Sequence, residues 1–261
     1  MGEPVRESRH DPILRERFDA VLFDMDGVLT DTARVHASAW KRMFDEFLRA
    51  RSAQSGERFV PFDIASDYAH HVDGKPRSDG VRDFLRARGI ALPEGSPDDP
   101  PSMETVHGLG HRKDAFVNAV IDAEGVRVFP GAVALLERLR AAGIKTAVVT
   151  SSQNRARVLE AAGLAALFDV AVDGHSLIER GLQGKPAPDM FVEAARALGV
   201  QPARAVVVED AISGIEAGVR GGFGLVVGVA RKDNAAALES QGAQRVVTDL
   251  ADLADLAELL S

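Results

Sequence analysis

The sequence predicts an α/β fold in which a parallel sheet forms a core domain and an all-helical cap domain is inserted after the first strand. From residue 126 onward, short apolar runs typical of buried strands alternate with segments of helical spacing. Such alternation favours βαβ units joined by right-handed crossovers. Between residues 32 and 125, helical spacing recurs without a convincing strand. We therefore assign residues 18–31 and 126–261 to the core domain and residues 32–125 to the cap domain.

Composition and charge restrict the possible functions. The 261 residues are 46% apolar and 27% charged, as in an ordinary globular protein. A formal net charge of −8 argues against nucleic acid as the main partner, although a small phosphorylated substrate remains possible. The absence of cysteine excludes disulfides, thiolate metal sites and cysteine nucleophiles.

Neither the first residues nor the apolar runs of the chain resemble a targeting or membrane segment. Residues 1–17 are charged and polar, without the apolar core of a signal peptide, and are expected to form a flexible tail. No apolar run approaches the length of a membrane-spanning helix. We expect a cytoplasmic monomer that makes no membrane contact.

The first predicted strand ends in a pair of carboxylates. The apolar run Ala20–Phe23 is followed by Asp24-Met25-Asp26-Gly27. Alternate residues of an extended chain share a side, so Asp24 and Asp26 should lie together. Their mutual repulsion calls for a cation or a shared proton, and an oxygen-preferring ion such as Mg²⁺ suits them. The alternative interpretation is an ordinary Asp/Gly turn after a strand.

The inserted region shows helical spacing in several blocks separated by loops. Helices are predicted from Asp31 to about Arg51, from Asp63 to Val72, from a cap at Ser78 or Asp79 to Arg88, and from about Arg112. Residues 50–62 and 93–102 are predicted to be loops because Gly, Pro, Ser and charged residues dominate them.

Four polar residues of the inserted region are candidates for a site. His36 and Trp40 are four residues apart and share a helix face. Trp40 is expected to pack in the core, whereas His36 could be a surface or satisfied histidine. Lys75 and Arg77 are expected on a loop between helices, where they could grip a phosphate or form a solvated charge pair.

The remaining core elements follow in order. Strands are predicted at residues 144–150, 170–172, 205–208, 225–229 and 245–247. Helices are predicted at 132–142, before Gly163, before Gly199, before Arg220 and at 250–260.

Polar residues follow the strands of this core. They are Asp24 and Asp26, then Thr150, Ser151, Ser152 and Asn154, then Lys185 on a predicted strand-to-helix loop, and finally Glu209 and Asp210. The carboxyl ends of parallel strands meet at one edge of a sheet, so these groups can converge. Each alone could be a helix cap, a surface turn or a solvated loop.

Together these groups suit phosphoryl transfer. One carboxylate can attack phosphorus and hold it as an acyl phosphate, and a second can exchange a proton with the leaving and accepting oxygens. Mg²⁺ can bridge the nucleophile and a phosphate oxygen. A hydroxyl, backbone N–H groups and a lysine can hold the oxygens on which transition-state charge spreads.

The segments DMDGVLTDT, VVTSS, GKPAPDMF and VVEDAISGIEAG resemble, in order, the four motifs of the haloacid dehalogenase superfamily of phosphotransferases. The resemblance implies a Rossmann-like core. It implies catalytic roles for the nucleophile Asp24, the general acid/base Asp26, and Thr150 and Lys185, which would hold the transferring phosphoryl group. It implies Mg²⁺ binding by Asp24, the Asp26 carbonyl and Asp210, with Glu209 as a ligand or a support.

Within the superfamily the chain most resembles the β-phosphoglucomutase-like branch, which carries a helical cap after the first motif. Matches in the cap and the second motif imply that the following residues bind substrate: Thr32, His36, Trp40, Gly74, Arg77, Lys113, Ser151, Ser152 and Asn154. Arg77 would grip the phosphate that does not react, and Lys113 would meet the sugar and the acid/base. Gln153 replaces a lysine of some members, and loop insertions near residues 50–62 and 93–107 depart from the compact family pattern.

The resemblance implies a Mg²⁺-dependent mutase that converts β-glucose 1-phosphate to glucose 6-phosphate through a bisphosphate and an aspartyl-phosphate enzyme. The alternative is a phosphatase that hydrolyses a sugar phosphate or another small phosphomonoester, because the same core serves both reactions. A non-catalytic binding protein on this fold is a remote third hypothesis, since Asp24, Asp26 and Lys185 are all present.

Overall fold

A central parallel sheet organises the molecule. The computed structural model describes residues 17–231 and 234–253, and within them six strands pair in the order β3-β2-β1-β4-β5-β6. The strands are β1 (Ala20–Phe23), β2 (Lys145–Val149), β3 (Val170–Val172), β4 (Ala205–Glu209), β5 (Leu225–Val229) and β6 (Arg245–Val247). All neighbouring strands are parallel, which confirms the predicted α/β fold with a Rossmann-like parallel sheet.

Helices precede and follow the strands. They are α1 (Ala33–Ser55), α2 (Arg77–Ala87), α3 (Val106–Glu124), α4 (Pro130–Ala141), α5 (Arg155–Ala161), α6 (Gly174–Arg180), α7 (Asp189–Leu198), α8 (Ile212–Arg220) and α9 (Ala235–Ser240). A π-helix spans Ile64–Val72, and short 3₁₀ turns span Ala165–Leu167, Pro202–Arg204 and Leu250–Leu253. Among the described residues, no helix is both long enough and apolar enough to cross a membrane.

The first strand lies in the middle of the sheet and is covered on both faces. Side chains alternate along a strand, so Val21 and Phe23 enter one apolar cluster and Ala20 and Leu22 the other. The first cluster is closed by α4, whereas α7 and α8 close the second. With both faces buried, all four residues of β1 are apolar and at most 1% exposed.

A separate apolar cluster forms within the helical segment, residues 33–124. Aromatic rings dominate it, with the centroids of Phe44 and Phe84 4.1 Å apart and those of Trp40 and Phe44 5.3 Å apart. This confirms the packing role expected for Trp40. The segment thus buries its own core, as a cap domain would, while the proposed boundaries at residues 32 and 125 stay a prediction.

The chain passes between the sheet and the helical segment twice, at residues 29–31 and 127–129, and we call these two places the chain crossings. The N–H of Asp31 donates to the carbonyl of Arg127 at 2.9 Å, and the N–H of Phe129 donates to the carbonyl of Leu29 at 3.0 Å. The two crossings are therefore paired side by side, close to residues 31–32 and 125–126, where the sequence analysis divides the two domains.

Several predicted boundaries are wrong. Helix α1 continues to Ser55 and ends at Gly56, whose φ of 73° suits a left-handed cap, so the predicted loop at 50–62 begins later. Helix α3 begins at Val106 rather than near Arg112, because the Thr105 hydroxyl accepts the N–H of Gly108 and caps it. Arg77 is the first residue of α2, not a loop residue.

The sequence did not indicate α6, and its presence changes the position of Lys185. Lys185 lies on the loop between α6 and α7 rather than on a strand-to-helix loop. Asp173 caps α6 by accepting the N–H groups of His175 and Ser176. The predicted tail lies outside the described residues except for Arg17, as does the part of the predicted last helix beyond Leu253.

Candidate active site

The carboxyl end of β1 places Asp24 beside two other elements. Its N–H donates to the carbonyl of Val208 in β4 at 2.9 Å, and the residue is only 6% exposed. Lys185 Nζ lies 2.5 Å from Asp24 Oδ1 and 2.6 Å from Glu209 Oε1. It also donates to the carbonyl of Val149 at 3.3 Å. One buried ammonium therefore serves two buried carboxylates.

Burial and the neighbouring opposite charge shift the pKa values of Asp24 and Lys185 in opposite directions. Burial raises the pKa of Asp24 well above its usual value, Lys185 opposes that rise, and Glu209 and Asp26 add to it. Burial alone would lower the pKa of Lys185, but the Asp24 and Glu209 carboxylates outweigh burial and raise it. Lys185 thus stays protonated at neutral pH.

The end of β4 supplies Glu209 and Asp210. Glu209 Oε2 accepts the N–H groups of Asp210 at 2.7 Å and Ala211 at 2.9 Å, which fixes the carboxylate behind the loop. Glycine is required on both sides of this pair. A Cβ on Gly27, whose φ is 87°, would overlap the Asp210 carboxylate, and a Cβ on Gly214 would overlap that of Glu209.

These carboxylates form a group that fits a cation. One oxygen each from Asp24, Glu209 and Asp210 lies within 4.8 Å of the others. Burial, with Asp73 and the neighbouring carboxylates, raises the pKa of Asp210 well above its usual value. Three crowded carboxylates beside a single lysine keep excess negative charge, and hard divalent ions such as Mg²⁺ prefer oxygen ligands. The Asp26 carboxylate lies outside this group, so that residue could reach the ion only through its backbone carbonyl.

Asp26 has its own set of partners. The Thr32 hydroxyl donates to Asp26 Oδ1, and Thr30 Oγ1 lies 2.7 Å from Thr32 Oγ1. Thr150 Oγ1 lies 3.5 Å from Asp26 Oδ2, and His36 Nε2 lies 3.6 Å from Oδ1. The two aspartates of the motif therefore have different environments. A lysine contacts Asp24, whereas hydroxyls bind Asp26 and an imidazole lies near it without a hydrogen bond.

A buried histidine and lysine complete the surroundings of Asp26. Lys113 Nζ lies 2.8 Å from His36 Nδ1. An ammonium only donates, so Nδ1 is the acceptor and Nε2 carries the proton that faces Asp26. Burial, together with Lys113, lowers the pKa of His36 to about 4, and burial lowers the pKa of Lys113 to about 8. Lys113 Nζ also lies 5.3 Å from the centroid of the Trp40 ring.

Arg77 connects the helical segment to the loop after β2. Its Nη2 donates to Gln153 Oε1 at 2.9 Å, and its Nη1 lies 3.2 Å from Asp114 Oδ2. Asn154 Nδ2 donates to the other Asp114 oxygen at 2.8 Å. The predicted phosphate-gripping arginine is thus held in place at a junction between the two halves of the cavity.

The loop before α2 also meets the sheet. Ser151 Oγ donates to the carbonyl of Gly74 at 2.8 Å, and Ser213 Oγ donates to the carbonyl of Asp73 at 2.8 Å. A Cβ on Gly74 would overlap the Ser213 hydroxyl. The helical segment therefore lies closely over the strand ends.

The model of the haloacid dehalogenase-like hydrolase family matches residues 18–222, most of the chain. The chain belongs to this family.

Relatives and solved structures agree with the family assignment. A β-phosphoglucomutase of Mycobacterium bovis is 52% identical over 91% of this chain and 92% of its own length. Hexitol phosphatase A of Escherichia coli is 31% identical over 79% of this chain and 81% of its own. The structure of a family hydrolase from Deinococcus radiodurans, with bound phosphate and sodium, is 34% identical with a TM-score of 0.62, covering 93% of this chain and 96% of that one.

In this family member, a cavity of about 200 Å³ opens between the strand ends and the helical segment. Most predicted site residues line it: Asp24, Asp26, His36, Trp40, Gly74, Arg77, Lys113, Thr150, Ser151, Ser152 and Asp210. Four do not and instead support those that do, namely Thr32, Asn154, Lys185 and Glu209.

Sequence reasoning missed several residues of this cavity. Asp73 and Tyr68, whose side chains are hydrogen-bonded to each other, face Asp210 from the helical segment. Asp114 holds Arg77, and His107 and His111 line the far wall. Asp73 precedes Gly74 and Pro76, so it has the sequence context of an ordinary turn residue. Nothing in the local pattern distinguished Asp114 from a solvated carboxylate. Their roles depend on contacts across the cavity.

Proposed function

We propose that the protein is a Mg²⁺-dependent β-phosphoglucomutase, which converts β-glucose 1-phosphate to glucose 6-phosphate through a bisphosphate. The observation that carries the proposal is a cavity with two carboxylates, one placed as nucleophile and one as acid/base, at one end and a guanidinium at the other. Asp24 and Asp26 lie at the strand ends, and Arg77 lies where the helical segment meets the loop after β2. A phosphosugar with two phosphate positions needs both ends. The similarity to a β-phosphoglucomutase over nine-tenths of the chain supports the same reaction.

In the proposed reaction the two aspartates have different roles. Asp26 takes the proton of the sugar C6 hydroxyl while that oxygen attacks the phosphoryl group on Asp24, which yields the bisphosphate. The bisphosphate then turns around. Asp24 attacks the phosphoryl group on C1, and Asp26 returns the proton to the departing C1 oxygen. Glucose 6-phosphate leaves, and Asp24 is phosphorylated again.

The surrounding residues fit these roles. Lys185, which touches Asp24, and Thr150 would hold oxygens of the transferring group. The hydroxyl of Thr32 orients the Asp26 carboxylate, and His36 Nε2 lies 3.6 Å from the same carboxylate without a hydrogen bond to it. Asp24, Asp210 and the Asp26 carbonyl, with Glu209 behind them, would hold Mg²⁺. When bound, the ion would offset the negative charge of the nucleophile and the phosphoryl oxygens.

A phosphatase acting on a sugar phosphate is the second candidate. The same Asp24 and Asp26 pair would serve it, with water in place of the sugar hydroxyl. The observation that favours it is the similarity to hexitol phosphatase A, which covers most of the chain at 31% identity.

An assay that follows two products separates the candidates. The purified protein is given β-glucose 1-phosphate, Mg²⁺ and a trace of β-glucose 1,6-bisphosphate, and glucose 6-phosphate and inorganic phosphate are measured in the same sample. We expect glucose 6-phosphate to form with little free phosphate, because the closed cavity favours a sugar hydroxyl over water. Free phosphate without glucose 6-phosphate would establish the phosphatase instead. An Asp24→Ala preparation is the control for contaminating enzymes.

A further inference from the structure

The loop at residues 91–105, which follows α2 and precedes α3, forms part of the cavity wall. Pro97 of this loop lines the cavity together with His107 and His111 of α3. Arg77 adjoins this wall, since a Cβ on Gly110 would lie 3.2 Å from Arg77 Cγ and 3.3 Å from its Nε. The insertion predicted near residues 93–107 therefore contributes to the cavity wall rather than facing solvent alone.

The loop is held in one shape by its own polar groups. Asp99 Oδ2 accepts the N–H of Ser96 at 3.1 Å and the hydroxyl of Thr105 at 2.7 Å. The N–H of Val106 donates to the carbonyl of Pro93 at 3.0 Å. These bonds close the loop against the start of α3, so the wall has a defined geometry.

Two glycines in the first two turns of α3 make this arrangement possible. A Cβ on Gly108 would overlap the carbonyl oxygen of Met103, and a Cβ on Gly110 would press on the Arg77 side chain. Glycine destabilises a helix interior by roughly 0.5–1 kcal/mol relative to alanine. The two glycines thus lower the stability of the start of α3, but they let the loop and the Arg77 side chain pack closely against this helix.

The loop also sets the orientation of the His111 ring. His111 Nδ1 lies 2.6 Å from the carbonyl oxygen of Asp99. A carbonyl only accepts, so Nδ1 carries a proton and, in the neutral ring, Nε2 is an acceptor. Within residues 17–231 and 234–253, no hydrogen bond to Nε2 is formed. The ring therefore presents an unused acceptor in a wall of the cavity.

We propose that His111 is a specificity-determining residue whose Nε2 accepts a hydrogen bond from a hydroxyl of the sugar, and that the loop at residues 91–105 positions it. This inference rests on the proposed function and adds a determinant from the insertion. A neutral acceptor suits a hydroxyl better than a phosphate oxygen, which itself only accepts. Substrates that carry hydroxyls would be favoured over phosphate esters that lack them.

Two variants distinguish the contributions of the two ring nitrogens of His111. His111→Asn keeps an N–H that can donate to the Asp99 carbonyl but removes the acceptor at Nε2, whereas His111→Ala removes both. For each variant, kcat/KM is measured with β-glucose 1-phosphate and with 4-nitrophenyl phosphate. We expect His111→Asn to lower kcat/KM for the sugar phosphate by about tenfold, the effect of one lost hydrogen bond, and to lower it less for the aryl ester. The unfolding temperature should stay near that of the wild type.

The matched control is His70→Asn. His70 Nδ1 also lies near a backbone carbonyl, that of Ser66, at 2.7 Å, but the ring is outside the cavity. It should alter neither activity.

Three results would overturn the inference. Equal losses for the two substrates would show that His111 supports the fold of the site only. Wild-type kinetics in His111→Asn, with a defect in His111→Ala, would assign the residue to the loop alone. An equal loss with propane-1,3-diyl bisphosphate, which has two phosphates and no hydroxyl, would assign His111 to phosphate. If the wild type fails to convert β-glucose 1-phosphate, the proposed function fails, and the same ratio is measured with the sugar phosphate that the wild type turns over fastest.

Discussion

At the scale of single residues, the contact of Lys185 with Asp24 and Glu209 controls the site. All three side chains are at most 8% exposed, so each charge depends on the others for compensation. The lysine leaves a single uncompensated carboxylate in this buried trio, and the nearby Asp210 adds another. Removing the nucleophile and removing the lysine should therefore have different consequences for folding.

Asp24→Asn should abolish turnover and leave the fold intact. The substitution removes the nucleophilic oxygen, while Lys185 keeps Glu209 as its partner at 2.6 Å. We expect kcat to fall by at least about 10³-fold, as for other lost nucleophiles. Thermal unfolding followed by circular dichroism should remain cooperative, with a midpoint within a few degrees of the wild type. Loss of the cooperative transition would mean that Asp24 is structural.

Lys185→Met provides the contrast for this prediction. It leaves Asp24 and Glu209 buried without their cation, which typically costs about 3–5 kcal/mol. We expect a markedly lower unfolding midpoint in the absence of added divalent ions. A midpoint equal to that of Asp24→Asn would contradict the compensation described above.

At the scale of elements, the short helix α6 decides where Lys185 arrives. It spans only Gly174–Arg180, and isolated helices of this length are not stable in water. Asp173 supports it in two ways, since Oδ1 accepts the N–H groups of His175 and Ser176 and Oδ2 accepts Arg155 Nε at 2.8 Å. Burial alone would raise the pKa of Asp173, but these bonds outweigh burial and lower it.

Asp173→Asn should lower stability at neutral pH and not in acid. The amide keeps an oxygen for the cap but loses the charge that faces Arg155. A carboxyl whose folded pKa is depressed stabilises above its unfolded pKa of about 3.9, and that stability is lost as pH falls through the folded pKa. We expect a deficit of about 1–2 kcal/mol at pH 6 that shrinks below about pH 3.5, measured by urea unfolding across this range.

The control is Asp122→Asn, which removes an exposed carboxylate paired with Arg157. That surface pair should contribute less than about 1 kcal/mol. A deficit in Asp173→Asn that is the same at both ends of the pH range would show that its charge does not stabilise the fold.

At the scale of the whole molecule, the helical segment is closed over the sheet. Contacts between the two parts include Arg77 with Gln153, and Ser151 with Gly74. Gly184, next to Lys185, allows a close approach of the two parts, because a Cβ there would overlap the ring of Pro76. A hinge at the two paired crossings would let substrate enter before such closure.

Gly184→Ala should hinder closure, and a second substitution should restore it. Overpacking typically costs about 1–3 kcal/mol, which would lower the closed population and kcat/KM by roughly 5- to 150-fold. Pro76→Ala removes the ring carbons that the new methyl group meets, so the double variant should regain most of the activity. Kinetics and small-angle X-ray scattering of the single and double variants form the cycle that measures this coupling. Failure of Pro76→Ala to rescue would place the defect at Lys185 instead.

The sequence by itself determined the features that depend on neighbouring residues. Strands are indicated by apolar runs such as Ala20–Phe23, and their ends by turns such as that at Asp24–Gly27. The chirality of βαβ connections then brings the ends to one edge. The four motifs indicated the family. The domain boundaries and the role of each site residue stay predictions.

The tertiary structure decided everything that depends on contacts between distant segments. It placed Lys185 between Asp24 and Glu209, although these residues are 161 and 24 positions away from it. It also brought Asp73 to Asp210 and His111 to the cavity wall. Hydrophobic periodicity reports which side of an element is buried, but not which polar side chains of other elements meet there. Burial and opposing charges, which set the pKa values of His36 and Lys113, exist only after the helical segment has closed over the sheet.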